Sequence, residues 1–230
     1  MLIHGQSVSE TVDAVNAALF DEQRITVAER KLTARWLAAR QGLPGAYGST
    51  FAGFDSERKA GIVLFTGERI ASASARHILG EEASRALRLL RVTDAAVKSA
   101  LERANQGVHG FLARAGHDAK NQKPGWYCCG KCTVGLWRNV LSGGLDRQEE
   151  RLRSGLQQLR AKRDGAGEWR RFPFWYTVLA LHEIDLPDAQ QELAYATPLL
   201  ERAAQRKPTA SVFAQRRHRL AQRALARLSR

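Results

Sequence analysis

Apolar positions along the chain recur at steps of three and four, the spacing that lines one face of a helix. Val12, Val15 and Leu19 follow Ser7-x-x-Glu10, a capping-box pattern that predicts a short first helix. Thr26-x-x-Glu29 repeats the pattern ahead of a second helix, Lys31 to Gln41, with Leu32, Trp36 and Leu37 on one side. Gly42, Pro44 and Gly45 end it. A loop rich in phenylalanine follows, in which Gly61 to Phe65 reads as a short strand or an apolar plug. Arg69 to Arg91 reads as helix, with Ile70, Ala73, His77, Ala83, Leu87 and Leu90 at helical spacing and Gly80 as a potential break. Thr93 caps the next helix, which carries Val97, Leu101, Ala104, Val108 and Leu112. The rest of the chain predicts helices opening near Cys129, from Asp146 to Lys162, from Phe174 to Glu183, from Asp188 to Gln205, and from Pro208 to the end. The expected fold is all-α, with roughly eight or nine helices in successive antiparallel pairs.

A pair unit reads as written twice. Gly107 to Ala115, a loop, and Gly125-Trp126 to Thr133 match Gly155 to Arg163, a loop, and Gly167-Glu-Trp169 to Thr177. Trp126 then corresponds to Trp169, and Thr133 to Thr177. Gly45-Ala-Tyr47 is a third, weaker copy. Units of about 40–50 residues repeated in this way predict stacked helix pairs that bury their faces on one another. Residues 1–230 are read as one helical-repeat domain, with 208–230 as a basic amphipathic helix docked on it. At Arg40-Gln41-x-x-x-Gly45-x-Tyr47 and Arg163-Asp-Gly-x-Gly-Glu-Trp169-x7-Thr177 the chain resembles the α/α-toroid repeat of the terpene cyclase and protein prenyltransferase superfamily. The resemblance covers Trp36 to Glu183 and implies a toroid-like arc of three to four units. It implies no terpenoid chemistry: an acidic DxDD-type motif is missing, and Cys128 and His182 lack the Asp-x-Cys partner of a prenyltransferase zinc set.

Composition narrows the class. The chain has 230 residues, 44% hydrophobic and 26% charged, enough for a sizeable core. No apolar run is long enough to span a membrane, and the first residues do not read as a secretory signal. Three cysteines within five residues do not make a disulfide framework, so reduced thiols and a cytoplasmic location are expected. The net charge of +13 favours polyanionic partners. Much of it lies at the end, where Glu201 to Arg230 holds nine Lys/Arg and one acid. Arg216, Arg219, Arg223, Arg227 and Arg230 step by three and four into a stripe that could track nucleic-acid phosphates, opposite an apolar stripe of Phe213, Leu220, Ala224 and Leu228.

The sharpest local chemistry is Cys128-Cys129-Gly-Lys-Cys132. A CxxC at a helix start sets a thiol beside unpaired backbone N–H groups and the positive end of the dipole, and Lys131 adds charge. Cys129 is the expected nucleophile and Cys132 the resolving thiol. The motif resembles thioredoxin-type sites without their βαβ context. It also resembles the all-helical alkylhydroperoxidase D type, in which a His stands four residues after the second Cys; here that position is Leu136. A metal set built from these thiols with His117 or His182 lacks a second CxxC or an HxxxH pair, so neither metal nor cofactor is expected. Trp126, Trp175, Tyr176 and His182 form a candidate aromatic pocket for an apolar small molecule or a protein segment. The leading expectation is that binding module, with thiol oxidoreductase and nucleic-acid binder as alternatives.

Overall fold

The computed structural model describes residues 2–114 and 124–229. It is all-α apart from one two-stranded hairpin. The elements are α1 (Val8–Phe20), α2 (Val27–Ala38), α3 (Asp55–Ala60), β1 (Ile62–Val63), β2 (Arg69–Ile70), α4 (Ser74–Leu89), α5 (Ala95–Arg114), α6 (Gly130–Leu141), α7 (Gln148–Arg160), α8 (Phe174–Glu183), α9 (Pro187–Tyr195), α10 (Thr197–Gln205) and α11 (Val212–Leu228). None of these helices is long and apolar enough to cross a membrane.

Of the two expected capping boxes, Thr26–Glu29 forms in full and Ser7–Glu10 only in its hydroxyl half, the Glu10 carboxylate lying against His4. The Ser7 hydroxyl accepts from Glu10 N–H, and Thr26 and Glu29 cap each other reciprocally. Elsewhere the structure corrects the pattern. Eleven helices stand among the described residues rather than eight or nine. Residues 188–205 are two helices, because the chain turns at Ala196 ahead of Pro198. Ile70, assigned to a helix by periodicity, pairs with Ile62 in the hairpin, and α4 starts only at Ser74. Gly80 does not interrupt α4; a side chain there would collide with Thr50. Leu32, assigned to the inner face of α2, is 60% exposed.

At the centre, α4 and α6 lie against each other more extensively than any other pair. Ala75, Ile78, Leu79, Ala83 and Leu87 of α4 and Cys132, Val134, Leu136, Trp137 and Val140 of α6 are all buried in the core, and Gly135 lets α6 approach Ile78 and Glu81. Around this pair, α1, α2 and α5 pack on α4, while α7 and α8 pack on α6. The C-terminal α11 covers α8, α9 and α10. Buried ions tie the layers together. Arg138 of α6 pairs with Glu82 of α4 and Glu183 of α8; Arg85 joins Glu183 to Asn16 of α1. Each of these charges lies in contact with its opposite, the condition under which a buried ion is tolerated.

The paired landmarks of the repeat have different surroundings. Trp126 is half-buried with its ring against Phe172. Trp169 is buried and donates its indole N–H to Glu192. Thr133 accepts from Tyr127 N–H, whereas Thr177 donates to the Pro173 carbonyl.

Candidate functional site

The Cys-rich segment enters α6 through a loop held from inside that helix. Thr133 Oγ1 accepts from Tyr127 N–H at 2.9 Å, and Trp137 Nε1 donates to the Gly125 carbonyl at 2.7 Å. The two side chains stand one turn apart, so they clamp Gly125 to Tyr127 along one face. Cys129 is the N-cap of α6, in extended backbone, and Gly130 opens the helix. A Cβ at Gly130 would lie 2.4 Å from the Arg171 carbonyl oxygen, so only glycine permits this approach. Cys128 is exposed, Cys129 half-buried and Cys132 buried, and all three are free thiols.

The start of α4 faces them. His77 Nδ1 is 3.4 Å from Cys128 Sγ and 3.6 Å from Cys132 Sγ. Ser74 Oγ is 3.6 Å from Cys129 Sγ, and Lys131 Nζ donates to Ser72 Oγ at 3.3 Å. Tyr47 stacks on the imidazole, with ring centroids 3.4 Å apart, and Phe111 and Tyr127 meet it edge-on. This aromatic wall depends on α5 touching the Tyr47 loop: a Cβ at Gly107 would lie 1.6 Å from the Gly48 carbonyl oxygen.

The electrostatics follow from burial and sulfur contact. Hydrogen bonds from the Cys128 thiol and then the Cys132 thiol pull the Cys129 thiol far below the ordinary thiol range. The same contact with Cys129 pushes Cys128 up to about 11. Cys132 is driven strongly upward by its bonds to Cys128 and Cys129 and by burial. Burial lowers His77 to about 4, so the imidazole is neutral near pH 7. One turn along α4, fully buried Glu81 accepts from Asn139 and is raised by desolvation to about 7. Burial likewise raises Tyr47 to about 12. The hydroxyls of Tyr47 and Tyr127 are buried with no hydrogen-bond partner among the described residues.

The other expected site residues lie apart from this centre. Tyr176 is buried and donates its hydroxyl to Glu82, while its N–H donates to Glu68. Trp175 is half-buried against Phe174. His182 is half-buried, its Nδ1 without a partner among the described residues, and burial beside Arg227 lowers its pKa. Tyr176 borders one narrow gap with Glu82 and Arg138.

The arginine stripe of α11 also turns inward. Arg216 is buried in an ion pair with Asp13, and Arg219 pairs with Asp21. Arg223 donates to the Phe20 carbonyl, and Arg227 to Ile184 and Asp185. These side chains fasten α11 to the body of the protein instead of presenting a free row of charge. Arg230 and His117 lie outside the described residues. His182 is not part of the thiol cluster; the histidine that joins it is His77, which the sequence reading placed only as a helix-face residue.

No family model, no curated protein and no solved structure matches the chain.

Proposed function

We propose that this chain is a thiol–disulfide oxidoreductase, with Cys129 as attacking thiol and Cys132 as resolving thiol. The observation that carries the reading is positional. Cys129 at the N-cap and Cys132 three residues on share the first turn of α6. Cys129 is reachable from solvent and Cys132 is not. The lowered pKa of Cys129 and the positive end of α6 act in the same direction, favouring thiolate on the accessible sulfur.

The reaction balances on these two groups. Cys129 thiolate attacks one sulfur of a substrate disulfide, forming a mixed disulfide and releasing the first substrate thiolate. Cys132 sulfur then attacks Cys129 Sγ, an S–S bond closes between them, and the second substrate thiolate leaves with the Cys132 proton. Two substrate thiols appear for each protein disulfide formed. A vicinal bridge from Cys128 to Cys129 would close a tight ring across a planar peptide and does not compete.

Metal-free, reduced protein carrying Cys128→Ser tests this in a single turnover with an aromatic disulfide. Two thiol equivalents are expected per chain. With Cys132→Ser added, one equivalent should appear and the mixed disulfide should persist on Cys129. With Cys129→Ser instead, release should fall to nearly nothing. Two equivalents from the variant lacking Cys132, or none from the protein retaining both thiols, contradicts the assignment.

A further inference from the structure

His77, Cys128 and Cys132 bring three ligand atoms within 4.8 Å of one another, from two helices that pack as the centre of the fold. The exchange reaction accounts for Cys129 and Cys132. It leaves unexplained why a desolvated imidazole points between the sulfurs of an exposed and a buried cysteine.

The spacing carries a specific meaning. Zinc bonds thiolate sulfur at about 2.3 Å and imidazole nitrogen at about 2.0–2.1 Å, so one S···N edge of a tetrahedral zinc site is about 3.6 Å. The two S···N distances here are 3.4 and 3.6 Å. Both edges meet at the same nitrogen, and the two sulfurs lie within 4.8 Å of each other, so one ion can approach all three atoms. Cys128 is exposed, so the fourth position of a tetrahedral ion is open to a water. The cluster contains no carboxylate, and its donor set of sulfur and neutral nitrogen selects a borderline-soft cation over magnesium or calcium. Tyr47 stacked on His77 fixes the ring plane, the task an outer shell performs for a metal-bound histidine. The exposed Cys128 gives the ion a way in from solvent.

We propose that His77, Cys128 and Cys132 bind one zinc ion, with a water in the fourth position. Binding replaces each ligating S–H with an S–Zn bond and sends that proton to solvent; no electron is transferred. Two thiolates and a neutral imidazole balance the charge of the ion. Because Cys132 is required both by the ion and by the disulfide with Cys129, zinc occupancy and disulfide formation exclude each other. The site does not rest on the exchange reaction.

The test uses the full chain, reduced and stripped of metal, titrated with zinc in competition with a chromophoric chelator. One tight equivalent is expected. Cobalt(II) in its place should give thiolate charge-transfer absorption and the visible bands of a tetrahedral ion. Affinity should fall at least about 100-fold in Cys128→Ser and in His77→Ala, beyond what loss of an outer-shell partner costs. Cys128 is exposed, so its replacement leaves the fold intact and separates lost ligation from unfolding. Zinc affinity unchanged in Cys128→Ser or His77→Ala, an octahedral cobalt spectrum, or no competitive binding overturns the proposal. The titration contains no disulfide substrate and the exchange assay no metal, so either can fail while the other stands.

Discussion

Glu81 shows how one residue can set a pH dependence without touching a sulfur. Its carboxyl is fully buried one turn from His77, and desolvation raises it from about 4.5 to about 7. The protonated form is therefore favoured in the folded state. Its contribution to stability is complete below about 4.5 and is lost as pH rises through about 7. Glu81→Gln keeps a neutral group beside Asn139 and removes that loss. Urea unfolding should find the variant more stable than the parent at alkaline pH by up to about 3 kcal/mol, and close to it under acid conditions. Equal stability differences at both extremes would mean that Glu81 is already ionised in the fold. His77 was legible in the sequence only as a member of a helix face. Nothing local links position 77 to position 128, and the pairing exists only because α4 lies along α6. The acids of Gly80-Glu-Glu-Ala83, in a stretch of small and apolar residues, were the one local sign that this face of α4 buries charge.

At the scale of elements, the caps at Ser7 and Thr26, the central helices and the break at Gly42 followed from side-chain periodicity and turn chemistry, whereas Asp94 rather than Thr93 accepts at the start of α5. The end of α9, the start of α10 and the start of α4 did not follow, because Pro198 and the Ile62–Ile70 hairpin override an otherwise continuous apolar spacing. The CxxC at the start of α6 was legible, since N-cap geometry depends on a few neighbouring residues. The aromatic wall opposite it was not, because it depends on two glycines far apart in the chain. Gly107 of α5 lets the Gly48 carbonyl approach and so seats Tyr47 over His77. Gly107→Ala places a methyl inside that oxygen and must push the Tyr47 loop away. A destabilisation of about 1–3 kcal/mol is expected, the usual range for overpacking a close contact. Thermal unfolding measures it. Unchanged stability would show that α5 and the loop separate freely.

For the whole molecule, the +13 charge suggested a polyanion partner, yet much of the arginine in α11 is spent internally. Arg216 reaches Asp13 and the Phe65 carbonyl, and its guanidinium lies 4.3 Å from the Phe65 ring centre. A stripe read from spacing alone has two possible faces, and only the packing of α11 on α1 and α8 decides which one is wet. The same packing carries the functional account. The α4–α6 contact brings serine, histidine and three cysteines to one edge of the bundle, and it buries Cys132 while leaving Cys129 within reach. The most direct measurement is disulfide mapping of the metal-free protein after mild oxidation, by peptide mass spectrometry. The account predicts an intramolecular bridge between Cys129 and Cys132, with Cys128 recovered as a thiol. Recovery of all three thiols, or a bridge formed through Cys128 in place of Cys132, would contradict it.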